Sequence, residues 1–165
     1  MKGKLLLVLI LWGLSASADV FACGNKFLVA SRGTRFGKVP VVRQDAAILV
    51  YANPDSTMPQ TMATVPVETV LLKAGYKPTI VADPDEFDQA LSQGGWDLVL
   101  ADLNDSAAVR AEMGDEAPML VPVLYAPTKS DFKQAKQEYD NVIKAPVKSQ
   151  RFLESVDDAV AMLGE

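Results

Sequence analysis

The stretch GGWDLVLADLND, residues 94–105, sets two glycines, an apolar run and a terminal carboxylate in a row. Gly94 and Gly95 stop whatever precedes them, because glycine weakens a helix and adopts turn angles freely. Leu98, Val99 and Leu100 are consecutive rather than alternating, the pattern of a strand buried on both faces, as parallel sheets require. A strand over Asp97–Asp102 therefore ends on an acid, and the question is whether Asp102 performs chemistry or only shapes the turn that follows.

Upstream, AAILVYA (46–52) reads as a first buried strand, and NPDSTMPQT (53–61) as a loop rich in turn residues. Val67, Val70, Leu71 and Ala74 recur at helical spacing before Gly75, and KPTIVAD (77–83) supplies a second strand. Asp83 is placed to cap the next helix, with Pro84 at its first position, Glu86 three residues after the cap, and Phe87, Ala90 and Leu91 facing inward. Downstream, a short helix is expected from about Ser106 to Met113, then a fourth strand in MLVPVLYA (119–126). Pro122 removes one ladder donor there and should lie near the strand's start or where pairing is incomplete. Phe132, Ala135 and Tyr139 form the stripe of a further helix, NVIKA (141–145) is a fifth strand, and Ser149 caps a last helix carrying Phe152, Val156, Val160 and Leu163. Strands alternating with helices give a parallel sheet covered on both faces, with no internal repeat and no second domain.

The 165 residues are 49% hydrophobic, enough for one domain without staples. The N-terminus reads separately. Lys2 and Lys4 precede LLLVLILWGL, and small Ala16 and Ala18 follow, the pattern of a secretory signal over residues 1–18. The run is too short for a convincing membrane span. A second cut after Ala22 would leave Cys23 first, but bulky Phe21 is a poor fit to a lipoprotein signal. The expected location is periplasmic or secreted, with a lipid on Cys23 as the weaker variant. Cys23 is the only cysteine, so no internal disulfide forms, and the chain has no histidine to serve as base or metal ligand. Beyond Ala18 there are 14 cations against 21 acids, a balance of −7 that argues against nucleic acid as a partner. Residues 19–45 form a basic extension, with Lys26, Arg32, Arg35, Lys38 and Arg43 unaccompanied by any acid from Gly24 to Gln44.

The alternation from residue 46 onward, DLVLAD as third strand and IKAPVKSQRFLESV (143–156) near the end, resembles the receiver domain of bacterial response regulators. The likeness spans about Ala46 to Gly164. It implies an α/β fold: a doubly wound, flavodoxin-like sheet of five parallel strands in order 2-1-3-4-5, its functional edge at the strands' carboxyl ends. In that family a pair of acids after the first strand and the acceptor aspartate after the third hold magnesium. Here the pair falls on Ala52 and Asn53, Asp102 matches the acceptor, and Asp55 is the one nearby acid, held behind Pro54. The hydroxyl expected after the fourth strand falls near Ala126 or Pro127, with Thr128 the closest candidate. The lysine expected before the proline is Ala145, and Lys144 one residue earlier should face the other way. A phosphoryl group on Asp102 would thus lack charge neutralisation. Export would also separate the domain from cytoplasmic kinases and ATP.

Other chemistries leave weaker traces. Ser56, Thr57 and Thr61 invite a flavin-phosphate reading, yet the loop lacks a phosphate-cradling glycine. Met58 and Met62 are a sparse thioether pair for a soft metal. Asp83, Asp85, Glu86 and Asp88 suit a helix N-terminus and a solvated face, with calcium a minor alternative. Trp96 is expected to pack between the helix before it and the third strand, and no nucleophile–base set suggests an enzyme. The expectation is an extracytoplasmic receiver-like module that binds a protein partner, without cofactor, small ligand or phosphorylation. Its docking face would be the region of Tyr125, Lys129, Lys133, Lys136, Tyr139, Lys144, Lys148 and Arg151, suited to an acidic surface. The alternative is a phosphoacceptor in a two-component relay, using Asp102 and magnesium.

Overall fold

A computed structural model describes residues 45–114 and 117–164. The segment expected to be a secretory signal, Cys23 and all but the last residue of the expected basic extension lie outside them. The first strand, β1, runs Ala47–Tyr51, followed by helices α1 (Met58–Thr64) and α2 (Val67–Lys73). Then come β2 (Lys77–Val81), α3 (Pro84–Gln93), β3 (Leu98–Asp102), α4 (Leu103–Glu112), β4 (Met119–Tyr125), α5 (Lys129–Glu138), β5 (Ile143–Ala145) and α6 (Ser149–Met162). The five strands are parallel and ordered β2-β1-β3-β4-β5, the order that the resemblance implies.

All five residues of β3 are buried, as its unbroken apolar run requires at the centre of a sheet covered on both faces. One core layer joins Ile48, Val50, Leu98, Leu100, Val121 and Val123 to Met58, Leu71, Phe152 and Val156 of the helices on that side. The opposite layer gathers Leu49, Val99 and Ala101 with Phe87 and Val109, and Tyr51 stacks on Phe87 with ring centroids 4.2 Å apart. Trp96 donates its ring N–H to the Ala90 carbonyl at 2.7 Å, tying α3 to the start of β3.

Pro122 pairs with Ala101 in mid-strand, one residue before β5 begins to pair at Val123, so its missing N–H falls where the ladder is incomplete. Asp83 caps α3 by accepting from the Asp85 and Glu86 N–H groups, as its position predicts.

Three sequence expectations need correction. The stretch 53–61 is not all loop: α1 starts at Met58, with Pro59 in its first turn where a missing N–H costs nothing. Pro66 then forces Val65 into extended angles (φ −125°, ψ 117°), so α1 is separate from and additional to the helix expected at Val67, giving six helices among the described residues. The helix expected from Ser106 starts at Leu103 instead, because Asp102 itself is its cap. At the end, Ser149 is the first residue of α6 and Lys148 occupies the cap position without a side-chain bond, while Leu163 lies beyond the helix and is 39% exposed.

Candidate functional site

The carboxyl edge of the sheet brings together the ends of β1 and β3 and the starts of α1 and α4. Asp102 terminates β3 and is 2% exposed. Its Oδ2 accepts from the Thr57 N–H at 3.0 Å and from the Thr57 hydroxyl, and its Oδ1 accepts from the Asn104 N–H at 2.9 Å. Ser106 donates its hydroxyl to the Asp102 carbonyl at 2.8 Å. Both carboxylate oxygens are therefore engaged, one capping α4 and one holding the β1–α1 loop. A buried carboxylate is tolerated on those terms, because each oxygen removed from water gains at least one donor.

Ala52 is 8% exposed and brings no ligand atom. Asn53, half-buried, donates from Nδ2 to Asp105 Oδ1 at 3.0 Å, while its Oδ1 accepts from the Asp55 N–H. Asp55 is exposed on the loop. Of the hydroxyls considered for a phosphate, Ser56 donates to the Asn53 carbonyl and Thr57 to Asp102, while the Thr61 hydroxyl is buried without a hydrogen-bond partner among the described residues. Met58 lies wholly in the core with Met62 packed against the same cluster. Thr128 forms a capping box with Asp131 at the start of α5, so its hydroxyl serves the helix. Ala145 is fully buried, and Lys144 is exposed on the opposite face of β5, as strand alternation dictates. The peptide bond between Ala145 and Pro146 is cis.

Two residues of this edge escaped the sequence reading. Thr57, one of the hydroxyls that suggest a flavin phosphate in sequence, pairs with Asp102 instead, and the adjacency of the two strand ends is the signal for that contact. Asp105, one turn into α4, carries a buried Oδ2 without a hydrogen-bond partner among the described residues. Burial pushes its pKa up; the bond from Asn53 lowers it, and the charges of Asp102 and Asp55 raise it further. The folded chain therefore holds this proton to higher pH than the unfolded one. The associated stability is present at low pH and declines as pH rises through the raised pKa. The Asp105 carboxyl should titrate above an ordinary aspartate, and Asn53→Ala should move it higher still by removing the one favourable bond to the ionised form. Carbon-detected NMR of the side chain measures both; a midpoint that falls in the variant would contradict this assignment.

Magnesium does not fit this edge well. It demands near-octahedral oxygen ligands, whereas position 52 is alanine, Asn53 turns its amide nitrogen to Asp105, and the Asp102 oxygens are already bonded. Among the described residues no three His, Cys, Asp or Glu side chains converge to hold a metal, the acids at the start of α3 included. No described helix is long and apolar enough to cross a membrane.

The proposed docking residues lie on α5, β5 and α6 and the end of β4. Lys133, Lys136 and Lys148 are exposed like Lys144, Tyr125 is half-buried against the core, and Tyr139 is buried at 5% exposure beneath Arg110, whose guanidinium lies 4.3 Å from the ring centroid.

No protein-family model matches the sequence, and no curated protein matches it significantly. Solved structures do match in fold. NtrX from Brucella abortus, solved with ADP, is similar over 73% of this chain at 18% identity and a TM-score of 0.57; the match spans 27% of NtrX's own length. The receiver domain of a sensor histidine kinase from Pseudomonas aeruginosa, with magnesium in its active-site cleft, matches 72% of this chain and 99% of its own at 16% identity and TM-score 0.53. A CheY-like receiver domain from Methylobacillus flagellatus matches the same shares at 20% identity and TM-score 0.50. With that strand order, and with Asp102 ending the central strand, the domain has the fold of the response-regulator receiver.

Proposed function

We propose that this chain is a receiver-like binding module that works through a protein partner rather than through a phosphoryl group on Asp102. The observation that carries this reading is the state of Asp102: 2% exposed, with both oxygens bonded to Thr57 and Asn104. An attacking carboxylate oxygen must first be freed from those donors. The resulting acyl phosphate would then meet neither an acid pair for a metal nor a lysine, since Ala52, Asn53 and Ala145 occupy those places. The secretory pattern in residues 1–18 supports a place outside the cytoplasm, away from kinases and ATP.

The docking face in this reading is the cationic side of α5, β5 and α6. Lys129, Lys133 and Lys136 fall at i, i+4 and i+7 along one side of α5, and Lys144 and Lys148 continue the charge across β5 and the start of α6. Its partner offers acids. The phosphoacceptor reading is the alternative, favoured by the placement of Asp102 at the end of β3. Two measurements separate them. Incubation with acetyl phosphate and magnesium should leave the intact mass unchanged, and a phosphate adduct lost in Asp102→Asn would favour the relay. A periplasmic pulldown should capture a partner that is lost when Lys133, Lys136 and Lys148 are reversed to glutamate; unchanged capture would rule out this face.

A further inference from the structure

The cationic face has a complement within the same chain. Residues 83–114 contain eight acids and a single cation, Arg110, which lies over Tyr139. A groove runs between α3 and α4. At the foot of these helices it opens into a cavity of about 490 Å³ lined by Asp88, Leu91, Trp96, Glu112, Met113 and Pro118, among others. Further up, a recess of about 120 Å³ is bordered by Tyr51, Asp88, Asp105 and Glu112. Asp88 and Glu112 line both openings, above a floor of Leu91, Trp96 and Met113.

The groove is electrostatically unfilled. Neither Asp88 nor Glu112 forms an ion pair with a described residue. Partial burial and the neighbouring Asp88 push the Glu112 carboxyl pKa up. Burial, then the charges of Asp105, Asp88, Glu112 and Asp83, push the Tyr51 phenol up as well. On the other flank, Lys129, Lys133 and Lys136 likewise form no ion pair with a described residue. The groove suits a lysine: its ammonium meets two carboxylates, and its hydrocarbon stem lies on the indole and leucine surface.

We propose that the chain associates with itself head to tail, with Lys133 and Lys136 of one copy seated beside Asp88 and Glu112 in the α3–α4 groove of the next. This rests on the reading of the α5 face as a docking surface and names the acidic surface that it meets. Two different patches are used, so the contact is heterologous and propagates into a ring or an open chain instead of closing as a symmetric pair.

Sedimentation velocity on the full chain tests this. At low salt the average mass should rise with protein concentration. It should return to the monomer near 1 M salt, where the screening length is only about 3 Å. Asp88→Lys with Glu112→Lys should abolish association, as should Lys133→Glu with Lys136→Glu, whereas Glu68→Lys with Asp158→Lys, away from both patches, should not. Mixing the two non-associating variants should restore it, because the intact lysines of the first meet the intact acids of the second. A wild-type chain that stays monomeric at low salt, association that survives either reversal, or a mixture that stays monomeric overturns the proposal. A monomer that still loses its periplasmic partner on lysine reversal would sink self-association while leaving the docking face standing.

Discussion

Asp102→Ala is expected to lower the stability of the domain by about 2–4 kcal/mol. Loss of a helix N-cap costs roughly 1 kcal/mol, and the donors stranded on Thr57 add roughly 1–3 kcal/mol, less where water reaches them. The β1–α1 loop should also loosen, because Thr57 holds it through Asp102 alone at this point. Asp102→Asn retains an acceptor for the cap and should cost about half as much. Urea unfolding of the three proteins reads the difference. An alanine variant with the wild-type midpoint would mean that the carboxylate is not structural, and would reopen a chemical role for it.

Phe152→Ala carries the largest expected loss, about 3–5 kcal/mol for a truncated buried ring. Phe152 is fully buried on α6, in the layer with Leu98, Leu100, Ile143 and Val156. Its ring is what presses the first turn of α6 onto the sheet beside β5, where Lys144 and Lys148 are displayed. The variant should therefore lose partner capture together with stability, whereas Phe152→Leu, which keeps most of the apolar volume, should retain both in large part. Thermal unfolding alongside the pulldown separates the two effects. Full capture by a folded alanine variant would show that the face does not depend on this anchor.

The fold was legible because β3 announces itself: three large aliphatics in sequence belong to a strand covered on both sides, and the cap at Asp83 marks where the chain turns from β2 into α3, whereas Thr128, read only as a hydroxyl near the end of β4, proved to be the cap of α5. The break at Val65–Pro66 was harder to read, since the apolar spacing of Val67, Val70 and Leu71 says where a helix faces but not where it begins. Asp102 was read correctly as a strand-end acid, and Lys144 as facing away, because two-residue alternation fixes both. The partner of Asp102 was not legible. Thr57 lies 45 residues away in sequence, and only the packing of β1 against β3 brings it within reach. The same holds for Asn53 and Asp105, whose bond depends on α4 starting at Leu103 rather than three residues later.

Both rims of the sheet are poor templates for another chain. On one side β2 exposes Lys77 and contains Pro78, which offers no amide hydrogen; on the other, β5 has three residues, an outward Lys144 and Pro146 immediately after. Charged side chains, prolines and a very short terminal strand each discourage edge-to-edge stacking into fibrils. Concentrated refolding should therefore yield soluble material rather than amyloid.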